Sequence, residues 1–142
     1  MTKEELKFCF KLQEQKRLLQ ETMQRLEEDM ALISSPRLDG MPRASSANSG
    51  GPAEALAIAH ADLQAKYEEK LRDLRVLQLR VEAFINTLPS REQTVMRLRY
   101  IDGLEWEEVC WRAHYSWTHT HRLHAEALKR LKKVEQEVEQ DD

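Results

Sequence analysis

Glycine and proline are scarce in this chain, four of each in 142 residues, and six of those eight fall between residues 36 and 52. The other two are Pro89 and Gly103, so 2–34 and 54–88 contain no helix breaker. There are only two cysteines, Cys9 and Cys110, which make no disulfide framework and imply a reducing, cytoplasmic setting. Runs of Val, Ile and Thr are missing, which argues against a sheet protein. A membrane span needs about 20 mostly apolar residues, and a chain of mean hydropathy −0.69 offers none. Behind Met1 stands Thr-Lys-Glu-Glu-Leu-Lys, without the apolar stretch of a secretory leader. Gly-rich phosphate loops and nucleophile elbows are lacking as well, so neither catalysis nor a cofactor is expected. The expectation is an all-α cytoplasmic protein with no membrane attachment.

The net charge of −3 hides an asymmetry. Residues 89–133 carry nine basic and six acidic groups, whereas 134–142 carry five acids and no base. All three tryptophans and four of the five histidines lie between 106 and 124. A basic, aromatic-rich segment is thus masked by an acidic tail, which either repels a polyanion or solubilises the helix end.

Thr2 and Glu5 form a capping-box pattern at the start of a helix over 1–34. Beyond it Leu12, Leu19, Leu26 and Ile33 recur every seven residues, each preceded at three residues by Cys9, Lys16, Met23 and Met30. That is a heptad ladder with one polar position. A second long helix is expected over 54–88, with Tyr67, Leu74, Val81 and Leu88 in one row and Leu63, Leu77 and Phe84 in the other. Leu71 and Ile85 widen this stripe beyond a two-stranded seam. Residues 35–53 between them are small, polar and breaker-rich, and read as a mobile tether. The tether's reach allows an antiparallel hairpin or pairing between chains. For the latter, the contact residues are Leu12, Leu19, Met23, Leu26, Met30, Ile33, Leu63, Tyr67, Leu74, Leu77 and Val81, with a dimer favoured.

Pro89 stops the second helix, since it disfavours helix at residue 88 and has no N–H. Ser90 is placed to cap the next helix, with Gln93 three residues on. Asp102-Gly103 ends that helix, and residues 104–112 make a third, with Leu104, Val109 and either Cys110 or Trp111 turned inward. Glu105, Glu107 and Glu108 suit the dipole at its start, which explains them more cheaply than nuclease chemistry. Ser116 then caps a fourth helix with Thr120, Leu123, Ala127, Leu131 and Val134 on one stripe. Two short helices joined by a tight turn, the second one basic, make a helix-turn-helix over 89–134, followed by the acidic tail 135–142.

The run Leu88-Pro89-Ser90-Arg91-Glu92, then Arg99-Tyr100, Asp102-Gly103 and Trp106-Glu107-Glu108-Val109, resembles region 4 of sigma-70-type factors. The whole chain resembles phage regulators of the ArpU/RinA type. The shared features are two long helices around Ser35-Pro36-Arg37-Leu38-Asp39-Gly40-Met41-Pro42-Arg43, and an ending with Arg122-Leu123-His124 and Ala127-Leu128. That resemblance implies activation of late phage genes in a bacterial host, with double-stranded DNA and host RNA polymerase as partners. Three residues depart from the sigma pattern. His114 replaces the turn glycine and must take a positive φ, Cys110 replaces a small alanine, and Thr120 replaces a buried valine.

In such a fold the second helix enters the major groove and its first turns reach base edges. Ser116, Trp117, Thr118, His119, His121 and Arg122 are the candidates there. Arg122 leads for direct readout, because a guanidinium pairs with guanine O6 and N7. Arg112, Arg91 and Lys129 are suited to phosphates. Trp117 reads first as a packing lid over the turn and only second as a DNA contact. His121 with His124, and Cys110 with His114, have chelating spacings, but no CxxC or HExxH accompanies them and no metal is expected. The rival functions are a small-terminase-like packaging factor and a protein-binding coiled-coil scaffold.

Overall fold

The computed structural model describes residues 1–34 and 51–140. Among these residues the protein is all-α, without strands. The elements are α1 (Lys3–Ser34), α2 (Pro52–Ile85), α3 (Ser90–Met96), α4 (Trp106–Ala113) and α5 (Trp117–Gln140). α3 runs directly into a π-helical turn over Arg97–Ile101. Most of the expected tether, with Arg37 and Arg43, lies outside the described residues, as do Asp141 and Asp142 of the acidic tail.

The chain divides into two compact units. Met1–Glu14 joins Arg72–Asp142 in the first, and Gln15–Leu71 forms the second. In the first unit α1 opens with the expected capping box. The Glu5 amide donates to Thr2 Oγ1 at 3.1 Å and the Thr2 amide to Glu5 Oε2 at 2.9 Å. One turn on, Leu6, Cys9 and Leu12 are fully buried against Leu74, Val81 and Ile85 of α2, Met96 and Tyr100, and Ala127 and Leu131 of α5. Full burial of each such leucine contributes about 2 kcal/mol. A smaller cluster of Val95, Val109 and Leu123 ties α3, α4 and α5 together.

The π turn connects the two ends of this unit. Its widened ring is closed by the Asp102 amide, which donates to the Arg97 carbonyl at 2.9 Å. The Tyr100 carbonyl accepts from the Cys9 thiol at 3.4 Å and from the Gln13 side-chain amide. Gly103 follows with φ 68°, and a Cβ there would lie 3.2 Å from Gln13 Cβ. Arg99 fills the remaining gap. Its guanidinium stands 3.7 Å above the Phe10 ring and 4.6 Å from the Trp106 ring, and donates to the Leu104 carbonyl at 3.0 Å.

In the second unit α1 and α2 pair antiparallel within one chain. Gln20 Nε2 donates to Tyr67 Oη at 2.9 Å, and His60 Nε2 lies 2.9 Å from Glu27 Oε1. Leu19, Met23, Leu26, Met30, Leu63 and Tyr67 are only half-buried there, and no described residue of this unit is fully buried. Two helices cannot enclose a stripe as wide as the one the sequence carries.

Several boundaries differ from expectation. α2 begins at Pro52, because proline suits the first helical position, where an N–H would have no partner. It ends at Ile85, three residues before Leu88. Thr87 and Leu88 bond back to Phe84 and Ile85 in a tight turn at 3.0 Å each, as Pro89 pushes its predecessor out of the helix. Ser90 is not a cap. Pro89 holds that position without a side-chain bond, while Gln93 Nε2 donates to the Leu88 carbonyl at 2.8 Å. α4 starts at Trp106 rather than at 104, and Cys110, not Trp111, is the residue turned inward. Val134 is 44% exposed and lies off the buried stripe. The acidic residues 135–140 continue α5 as helix.

Candidate nucleic-acid interface

α4 and α5 are set against each other by their shared turn. The α4 terminus closes as a Schellman motif: the Tyr115 amide donates to the Cys110 carbonyl at 3.2 Å and the His114 amide to that of Trp111 at 3.4 Å. This needs a left-handed residue, and His114 supplies it with φ 60° and ψ 37°. The positive φ expected from the sequence is therefore present without a glycine. Ser116 caps α5 as expected, with its Oγ accepting from the His119 amide at 3.1 Å. Val109 and Leu123 lock the two helices from beneath. Thr120, where a valine is usual, is fully buried and its hydroxyl has no hydrogen-bond partner.

Three faces of α5 can then be told apart. Thr120, Leu123, Ala127 and Leu131 face the core. His121 and His124 face an aromatic cluster: the Trp106 ring lies 4.6 Å from each imidazole, and Trp117 lies 4.3 Å from that of His121. Tyr100 Oη and His124 Nε2 are 2.7 Å apart. Burial pushes the His124 imidazole down to about 4, and the nearby charges of His121, Arg99 and Lys3 add to that. The third face is exposed, with Thr118, Arg122, Ala125 and Lys129 recurring at helical spacing.

Residues 84–133 match the family model for sigma-70 region 4. This segment is a helix-turn-helix DNA-binding domain of the region 4 type. No curated protein and no solved structure matches the chain. The first fourteen residues, packed on the region 4 domain in the same compact unit, lie outside the matched span. Among the described residues no helix is long and apolar enough to cross a membrane.

The region 4 domain brings Ser116, Trp117, Thr118, His119 and Arg122 together on the first two turns of α5. His121 departs from this set: it is half-buried between Trp106 and Trp117, and its Nε2 is buried without a hydrogen-bond partner. A tryptophan on each side explains why an N-terminal position of the recognition helix turns inward. Trp117 covers His121 yet stays 55% exposed, so it serves as lid and surface at once. Arg112 is exposed but paired to Glu108 at 3.0 Å. Arg91 lies apart from the first turns of α5. Its neighbour Glu92 is buried and meets Arg130 at 3.1 Å, about 12 Å along α5 from Arg122.

Two features escaped the sequence reading. Trp111, one residue before Arg112, is 74% exposed. Residue spacing left Cys110 and Trp111 both able to turn inward, and packing of α4 chose Cys110. The Glu92–Arg130 pair joins α3 to α5, and no local spacing announces a contact 38 residues apart.

Of the residues considered for contacts between chains, Leu12, Leu74, Leu77 and Val81 are buried in the core of their own chain and are taken up there. Ile33 is exposed, with Leu18, Leu32 and Ile58.

Proposed function

We propose that this chain is a sequence-specific DNA-binding transcription regulator of the phage late-gene type. It binds promoter DNA through α5 and contacts the host RNA polymerase, and it acts by binding rather than by catalysis. The observation that carries the reading is the bare stripe of Thr118, Arg122 and Lys129 on a Ser116-capped helix inside the region 4 match. Arg122 reads base edges, while Lys129, Arg91 and Arg112 meet phosphates. The phage late-gene assignment rests on the sequence resemblance, chiefly the wording of residues 35–43. A dimer through the exposed apolar residues of the second unit would present two recognition helices to half-sites about 34 Å apart or a multiple of it.

The test is selection of duplexes from a random pool by the whole chain, followed by affinity measurements at several salt concentrations. Binding should weaken with salt at a log–log slope of about −0.9 for each phosphate neutralised. No enrichment, or a flat salt response, would contradict the reading.

A further inference from the structure

We propose that His119 is not a DNA contact but the positioning residue that holds Arg122 ready to read. This deepens the DNA-reading function of α5 and rests on it. Arg122 Nη2 lies 2.7 Å from His119 Nδ1. A guanidinium only donates, so Nδ1 accepts and the ring N–H is on Nε2. His119 is itself held at two points, one on its backbone and one on its ring. Its backbone amide is capped by Ser116 Oγ at 3.1 Å, and its ring meets the Tyr115 ring edge-on with centroids 4.8 Å apart.

Tyr115, His119 and Arg122 thus form a chain of contacts running from the turn onto the exposed face of α5. Arg122 is exposed, and no ion pair involving it is present among the described residues. An exposed arginine with nothing to hold it samples many rotamers, and ordering it on a base edge costs affinity at the moment of binding. One bond from a rigid ring lowers that cost before DNA arrives. It leaves the remaining donors of the fork free for a guanine edge. The sequence suggested reading His119 and Arg122 as two parallel contacts; the geometry makes them one contact and its support.

The experiment measures four variants of the whole chain, His119→Leu, His119→Asn, Arg122→Ala and the double variant His119→Leu/Arg122→Ala. The probes are the duplex most enriched from the random pool and a scrambled duplex of the same composition. Asn Oδ1 sits where Nδ1 sits, so His119→Asn keeps the acceptor and discards the ring. His119→Leu should lose about threefold to tenfold on the enriched duplex, with little change on the scrambled one. His119→Asn should restore most of that loss, and His119→Leu should add nothing once Arg122 is alanine.

Losses that multiply in the double variant, or a His119→Asn as weak as His119→Leu, would overturn the positioning role and leave the DNA reading standing. An Arg122→Ala with undiminished selectivity would overturn both. Melting of every variant is measured alongside, and should His119→Leu lose its fold, His119→Ala replaces it in the single and the double variant with the same outcomes.

Discussion

The two compact units draw on the same two amphipathic helices and differ in what covers them. In the first unit, residues 6–12 of α1 meet α2 together with α3, the π turn and α5, and Leu6, Cys9 and Leu12 vanish from the surface. In the second, residues 19–30 of α1 meet α2 alone, and the same heptad ladder stays half-exposed. A periodic stripe thus records that a helix has a partner, but not how many. Burial concentrates where α3, the π turn and α5 join α1 and α2, and the compact unit that holds the region 4 match takes in the first fourteen residues as well.

The strongest way to break this contrast is to truncate one leucine in each unit. Leu12→Ala should cost about 2–5 kcal/mol, as expected of a fully buried leucine, whereas Leu26→Ala should cost clearly less, because its site is already open to solvent. Denaturant unfolding of both variants checks this, and equal losses would erase the distinction. A smaller effect is expected at the seam between α1 and the π turn. Gly103→Ala puts a Cβ on a residue with φ 68° and against Gln13. It should cost about 1–2 kcal/mol, and Gln13→Ala should relieve only the part due to the Gln13 amide, since its Cβ stays in place, which a melting comparison of the single and double variants resolves.

The mildest perturbation is pH. His124 is held neutral, with its imidazole pushed from 6.5 down to about 4 by burial in the aromatic cluster. The unfolded chain therefore binds the extra proton first. The stabilising contribution is whole above about 6.5 and is lost progressively as pH falls toward about 4. Melting temperature should drop across that window, and His124→Gln should flatten the drop. An unchanged slope in His124→Gln would assign the effect to other groups.

Much of this architecture was legible in the residues. The capping box at Thr2 and Glu5, the Ser116 cap and the positive φ of His114 all depend on short-range chemistry that a sequence displays. The turn at 87–88 did not follow the same way: the influence of Pro89 was evident, but not the residue at which α2 yields to it. The π turn and the Gln13 contact were hidden, because they arise when α1 packs on a segment 87 residues away. On α5, the exposed placement of Arg122 was readable from its position after the cap. The inward turn of His121 was not, since it depends on Trp106 and Trp117 closing from two different helices.

The most direct test of the account is amide chemical-shift mapping of the whole chain during titration with the enriched duplex. The largest shifts should fall on residues 111–125, at the end of α4, the turn and the first turns of α5, with residues 15–33 and 52–71 nearly unmoved. Shifts centred on those two stretches of the second unit, with α5 silent, would contradict it.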